Sequence, residues 1–531
     1  MSSYSDNTAA APAITAVNKW VVAGTVVFGA FMAVMDISVV NVAMPHMMGS
    51  FSEDMSSITW VATAYSIAEI IMVTMSGWFS TLMGRKRLYL WSFGVFTLGS
   101  VLCGTAVSFH QMLFYRVLQG IGGGSLIPVS QAILRESFPE EEQGMAMAMF
   151  GMGVVLAPGI GTILGGWLTS HYGWPWIFFI NVPVSIVGIF MVVAFVHDPH
   201  YLRRGVRKVD WLGIALLATA LTSMQIVLER GQSQNWFDSH MIVLGTAVCV
   251  MSLAGLVYWE LKALEPVINF RILRNIPLTL GSAMGLVFGI ALFGTTFILP
   301  QFTQSLLGYP AFQAGLVLAP RAFMLVLCMP VVGRLYNHVN ARVLVMTGVG
   351  VTFLGYYNLA GLSLAAGFWN IVPILLTLGI GMPFIFVPIS TLALATVPQS
   401  VMTDATSLYT LARRVGGNIG YALAATIVAR GQQIHRACLV GHVNQFNPIF
   451  TEYSRITTKV MGQTGLNPQA VQNTVHALVS RTVNIQSTML AYNEVSLIFG
   501  FLFLSTIPLV LLLPRRAAFE GEAVKASTDH K

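Results

Sequence analysis

The chain has 531 residues, 55% of them hydrophobic and only 9% charged, with a mean hydropathy of +0.72. An ordinary soluble domain carries about 25% Asp, Glu, Lys and Arg, so this composition excludes a single soluble enzyme and makes the bilayer the main solvent. The net charge of +7 would suggest nucleic-acid binding in a soluble protein, but here the basic residues sit in short loops and report orientation. Cys103, Cys249, Cys328 and Cys438 show no paired spacing, so neither a disulfide framework nor a metal site is expected.

Uncharged runs of 55 residues (143–197) and 61 residues (343–403) each hold two spans of about 20 residues and a turn. Hydrophobic segments follow one another near 20–45, 57–81, 88–107, 111–133, 144–168, 176–196, 211–229, 239–259, 277–302, 312–332, 343–363, 369–395, 407–429 and 490–513. They predict an all-α polytopic membrane protein with fourteen spans. Its expected parts are an N-terminal tail (1–19), a six-helix bundle (20–196), two linker spans (197–276), a second six-helix bundle (277–513) and a C-terminal tail (514–531). The first 18 residues lack the basic start of a signal peptide.

The loops expected on one side carry Arg85, Lys86, Arg87, Arg203, Arg204, Arg207, Lys208, Lys262, Arg271, Arg274, Arg334, Arg342, Arg515 and Arg516. Those near 46–56, 108–110, 169–175, 303–311 and 364–368 carry no Lys or Arg. The positive-inside bias then predicts that both termini are cytoplasmic. Residues 430–488 form a long polar outer loop with expected helices over 450–461 and 468–483. Partner docking or gating and a plain exposed hairpin stand as alternatives for it. A weak internal repeat pairs 77–87 with 333–342, and repeated halves around a central site are common in transporters.

Charged side chains inside spans cost roughly 2.5–3.5 kcal/mol each on insertion scales and are functional suspects. Asp36 interrupts the first span in MDISVVNVAMP. It is read either as a proton or cation handler or as a hydrogen-bonded carboxylate locking two helices. Glu69 shares a helical face with Tyr65, Met72 and Ser76, which suits a cavity wall meeting apolar cations or an acid paired with a nearby arginine. Arg116 in LFYRVLQGIGGG is placed to modulate a carboxylate, and Gly120, Gly124 and Pro128 on that span allow close helix approach. Gly153, Ala157, Gly161 and Gly165 make a second stripe of small residues across Pro158, read as packing with a hinge or seal. Arg321 and the Arg413-Arg414 pair are expected to snorkel toward a membrane face, and Glu494 to sit at the outer rim. No G-x-x-x-x-G-K-[ST], H-E-x-x-H or G-x-S-x-G occurs, so direct ATP drive is not expected.

These motifs together resemble the major facilitator superfamily, and within it the fourteen-span drug:proton antiporters of the EmrB/QacA type. The first-span motif carries Asp36, Asn41 and Pro45; the fourth-span motif carries Arg116 with Gln119 and Gly120. The antiporter motif matches Ala157, Pro158, Gly161, Gly165 and Gly166, followed by WIFFINVP at 176–183. The loop motif keeps Gly77, Gly84, Arg85, Lys86 and Arg87, but Thr81 stands where the family carries an acid, and Thr162 replaces a proline.

The resemblance implies a multi-pass secondary transporter, not an enzyme, driven by the proton gradient without a cofactor. The resemblance and the helical-face reading together make Asp36, Glu69 and Arg116 the expected proton-coupling residues, and Tyr65, Glu69, Met72, Asn41 and Gln119 the expected substrate contacts. Small amphiphilic drugs are the implied cargo. The long loop with its FNP at 446–448 implies a Gram-negative inner membrane, a periplasmic adaptor of the EmrA kind and a TolC-like outer-membrane channel. Export of one metabolite (a siderophore, lipid or amino acid) is an alternative on the same fold. A membrane-embedded enzyme or scaffold is a more distant one.

Overall fold

The structure, a computed structural model, describes residues 18–198, 209–263, 265–444, 446–462 and 468–512. Arg203, Arg204, Arg207, Lys208, Arg515, Arg516 and nearly all of both tails lie outside the described residues. The described chain contains helices and no strands, as a lipid environment demands, because a helix satisfies its own backbone groups. Fourteen spans are built as follows. The first group is α1 (Lys19–Phe51), α2 (Trp60–Met83), α3 (Arg85–Gly104), α4 (Phe109–Gly124) continued by α5 (Leu126–Ser137), α6 (Gln143–Tyr172) and α7 (Asn181–Phe195). Two linker spans follow, α8 (Trp211–Arg230) and α9 (His240–Lys262). The second group is α10 (Ile276–Ser305), α11 (Ala319–Leu335), α12 (Ala341–Ala360), α13 (Phe368–Ala393), α14 (Met402–Val440) and α16 (Pro468–Leu504), with α15 (Pro448–Gly462) outside the bundle.

Twelve of these spans are long and apolar enough to cross a membrane on composition alone. The other two, α3 and α14, carry charge: α3 starts on Arg85-Lys86-Arg87, and α14 contains Asp404, Arg413, Arg414 and Arg430. Exposed tryptophans mark two belts, with Trp20, Trp91, Trp211 and Trp259 at the end bearing Arg85, and Trp167, Trp176 and Trp369 at the other. Such belts sit at headgroup level. We call these the basic end and the outer end.

Within the first half α1 packs on α6 and α4 on α2 and α3; within the second, α10 packs on α14 and α12 on α13. The halves meet through α6 against α11 and α2 against α14, and the linker helix α8 touches both α2 and α14. Small residues set these approaches. A Cβ on Gly161 would lie 2.8 Å from the Met35 carbonyl oxygen, and one on Gly165 3.0 Å from Val39 Cα, so the predicted stripe seats α6 directly on the backbone of α1. Gly153 faces the Val27 side chain, where a Cβ would collide with Cγ1, and Ala157 is fully buried, whereas Gly166 has room to spare. Pro158 lies inside α6 without ending it. Gly120 and Gly124 do the same for α4, each 2.5 Å (Cβ position) from a carbonyl of α2, at Tyr65 and Glu69.

The outer segment 430–488 carries the two expected helices, over Pro448–Gly462 and from Pro468 on, but the flanking spans also run into it. α14 continues to Val440 and α16 starts at Pro468, so the last span and the second loop helix are one rod. Between them α15 leaves Tyr453, Ile456 and Val460 exposed along one side.

Gly161→Leu is expected to push α1 from α6. Overpacking of this kind costs about 1–3 kcal/mol, which thermal unfolding of the purified protein in detergent reads as a lower Tm. An unchanged Tm would show that the approach of the two helices is not tight.

Candidate functional site

Asp36 is buried in the first half, 1% exposed, and held by three side chains from two other helices. Arg116 Nη1 on α4 donates to Oδ2 at 2.8 Å, Gln119 Nε2 to Oδ1 at 2.9 Å, and Asn181 Nδ2 at the start of α7 to Oδ1 at 2.7 Å. Ser100 on α3 accepts from Gln119 and Asn181 and donates to the Phe178 carbonyl at 2.8 Å. The guanidinium of Arg116 lies 4.3 Å from the Tyr65 ring centroid and gives its Nε hydrogen to the Val61 carbonyl at 3.0 Å. A buried ion pair stands against its desolvation cost only when its remaining polar atoms are also bonded; here both Asp36 oxygens and the Arg116 Nε and Nη1 are bonded.

Glu69, 3% exposed, belongs to a different contact. Its carboxylate pairs with Arg414 of α14, in the opposite half. From that pair toward the basic end the two halves are stitched together. Ser76 Oγ and Ser407 Oγ are 2.6 Å apart, Ser80 Oγ and Thr403 Oγ1 3.2 Å, and Thr410 Oγ1 donates to Gln131 Oε1 at 2.9 Å. Arg85 pairs with Glu136, donates from Nε to Thr403 at 2.9 Å and from Nη2 to the Gln399 carbonyl at 3.1 Å. Gly77 lies so close to Asp404 that any side chain there would collide with it. Gly84 turns the chain from α2 into α3 at φ +86°, a backbone region that favours glycine.

The predicted residues therefore divide. Asp36, Arg116, Gln119 and Tyr65 come together inside one half. Met72, on the face expected to line a cavity, is buried where α2 meets Gly124 of α4. Asn41 is exposed on α1 and stands apart from the Asp36 cluster. Arg85 is buried at the junction, Lys86 reaches the Val193 carbonyl at 2.8 Å, and Arg87 is exposed. Arg321 and Arg413 do not snorkel: each is 5% exposed. They sit against successive turns of α13, Arg321 Nη2 at 3.7 Å from Met382 Sδ and Arg413 at 5.6 Å from the Phe386 ring centroid. Glu494 is at the outer rim as expected, with His435 Nε2 at 3.2 Å.

Three partners carried no sequence signal of their own, Asn181, Ser100 and Glu136, and Arg414, expected to snorkel with Arg413, instead pairs with Glu69. Asn181 lies in the quoted WIFFINVP motif, and Arg414 adjoins Arg413. Their pairing depends on which helices neighbour which, and one chain's sequence does not encode that visibly.

Two helical bundles, a pair of linker spans and charges paired across the junction define a membrane transporter. The profile of the Major Facilitator Superfamily matches residues 26–421, and the chain belongs to that family. It is 32% identical to the Multidrug export protein EmrB of Escherichia coli (strain K12) over 486 residues, covering 90% of this chain and 92% of that protein. It is 28% identical to the Fatty acid resistance protein FarB of Neisseria gonorrhoeae, over 91% of this chain and 93% of that one. Among solved structures, the human organic anion transporter MFSD10 shares the fold at a TM-score of 0.58 and 13% identity, covering 91% of this chain and 99% of that one.

Asp36→Asn leaves the Arg116 guanidinium buried without its counter-charge. Removing one partner of such a pair costs about 3–5 kcal/mol, so the Tm is expected to fall sharply, and Asp36→Asn combined with Arg116→Met to recover part of the loss. A single variant that melts like the wild type would show that the pair is not desolvated.

Proposed function

We propose that this protein is a proton-coupled multidrug efflux antiporter that exports apolar, cationic or weakly acidic amphiphiles by alternating access. In this reading it lies in the bacterial inner membrane with both termini cytoplasmic, and the proton gradient drives it without a cofactor. The observation that carries the reading is the Glu69–Arg414 pair, an acid of one half held by a cation of the other. The relationship to a multidrug export protein supports the cargo class.

The halves are closed at the basic end, so the arrangement is outward-facing. A proton arriving from the outer side neutralises Glu69 and removes its attraction for Arg414. That lowers the cost of parting the halves at the basic end, where the proton leaves to the cytoplasm and cargo enters. Re-forming the pair favours the return, and cargo departs outward. Protonation drives transport only by shifting the balance between the two arrangements, and a pair spanning the junction does that directly. Asp36, buried with Arg116, is the second acid of the coupling.

The relative named for fatty acid resistance favours a second reading on the same machinery, an exporter dedicated to one lipid-like compound. A panel of drugs and native lipids, tested by growth with the gene deleted and restored, separates the two. A periplasmic adaptor and outer-membrane channel complete the proposed path, supported by the exposed Tyr453, Ile456 and Val460 on α15.

In proteoliposomes, Glu69→Gln is expected to reduce pH-gradient-driven export to less than a tenth while cargo still binds; full gradient-driven export would remove Glu69 from the coupling. Ile456→Asp with Val460→Asp is expected to lower drug resistance in cells but leave proteoliposome export intact. Equal loss in both settings would reject the docking role of α15.

A further inference from the structure

Along the junction of α2 and α14 the helices run antiparallel in a regular register. Ser80 stands opposite Thr403, Ser76 opposite Ser407, and Glu69 opposite Arg414. Each turn back along α2 is matched by a turn forward along α14. Carried one turn further toward the outer end, the register sets Asn418 against the turn of α2 that holds Tyr65 and Ser66. The contact changes there. Asn418 Nδ2 donates instead to Oε1 of Gln225 on the linker helix α8.

One turn along α8, Glu229 accepts a hydrogen bond from the Thr63 hydroxyl of α2, and the Arg230 guanidinium lies 5.1 Å from the Trp60 ring centroid. Just past the helix, Trp236 Nε1 donates to Thr426 Oγ1 of α14 at 3.1 Å. Beyond Arg414, α8 thus bridges α2 and α14, bonded to both. Toward the basic end, Leu217 and Leu221 of α8 join Ile70, Met75, Trp78 and Leu408 in an apolar cluster. Apolar contact is non-directional and tolerates sliding, whereas hydrogen bonds fix a geometry.

We propose that α8 is a strut specific to the outward-facing arrangement, with Gln225 and Glu229 as its positioning residues. The inference rests on the alternating-access reading. Parting the halves at the basic end brings the outer parts of α2 and α14 together. Since α8 belongs to neither half, its bonds to both cannot survive that movement. Asn418 then exchanges Gln225 for α2, and the α2–α14 register runs on to the outer end. The linker spans are working parts of the cycle, which makes them more than a tether between the bundles.

The test reads the closure of the basic end directly. In a background with the four native cysteines replaced by serine, Ser80→Cys with Thr403→Cys forms a disulfide when the halves are closed there. Gln225→Leu is expected to lower the disulfide yield at least twofold. Asn418→Leu should do likewise, and the two together no more than either alone, as partners in one contact behave. Thr63→Val, on the other side of the strut, is expected to act in the same direction, so a folding failure in one variant leaves the others decisive. Unchanged yields, or losses that multiply, overturn the proposal. In proteoliposomes Gln225→Leu is expected to lower the maximal export rate with the apparent KM unchanged; a rise in KM alone would make it a cargo contact and overturn the strut. The disulfide assay uses neither a proton gradient nor cargo, so it stands or falls separately from the coupling role of Glu69.

Discussion

A carboxylate or guanidinium at mid-membrane is costly unless it is paired, and two such pairs organise the first half and its junction with the second. Asp36 and Arg116 pair within one bundle, with Gln119, Asn181 and Ser100 closing the remaining hydrogen bonds. Glu69 and Arg414 pair across the junction. The physics is the same and the consequence differs. The first pair ties α1, α3, α4 and α7 into a rigid unit. The second ties α2 to α14 across the junction, beside the hydroxyl contacts of Ser76, Ser80 and Thr410.

Close helix approach is the other condition for this arrangement. Gly120 and Gly124 bring α4 onto the carbonyls of α2, which places Arg116 over Tyr65. Gly161 and Gly165 bring α6 onto the α1 segment holding Asp36. Gly77 lets Asp404 approach α2 beside the Ser76–Ser407 and Ser80–Thr403 contacts. Thr81, in the place of the family's acid, is exposed and bonds only within its own turn, and Arg85 takes Glu136 as its carboxylate instead.

Much of this was legible in the sequence because hydropathy and spacing are local properties. The spans, the small-residue stripes and the suspect charges Asp36, Glu69 and Arg116 could all be read from it. What could not be read was partnership. Arg321 and Arg413 near helix ends suggested snorkelling, yet tertiary packing buries both against α13, and Met382 and Phe386 give no hint of this in isolation. Tyr65, Glu69 and Met72 share a helical face in sequence, but two different neighbours divide that face between them. Polar composition in 430–488 hid that the flanking spans continue into it, although its two helices were legible. Its helices persist because long polar segments can remain helical outside the membrane when they continue apolar spans already nucleated within it.

The length of α14 has a mechanical consequence. One uninterrupted helix of 39 residues carries Arg414 near its lower third and ends at Val440, well beyond the apolar core. At 1.5 Å per residue, the segment from Arg414 to Val440 is a lever of about 39 Å. Each degree of tilt about the Glu69 contact moves its tip by about 0.7 Å. On the proposed cycle, a change of charge at Glu69 is thereby converted into a displacement outside the membrane, at the base of the hairpin that presents α15.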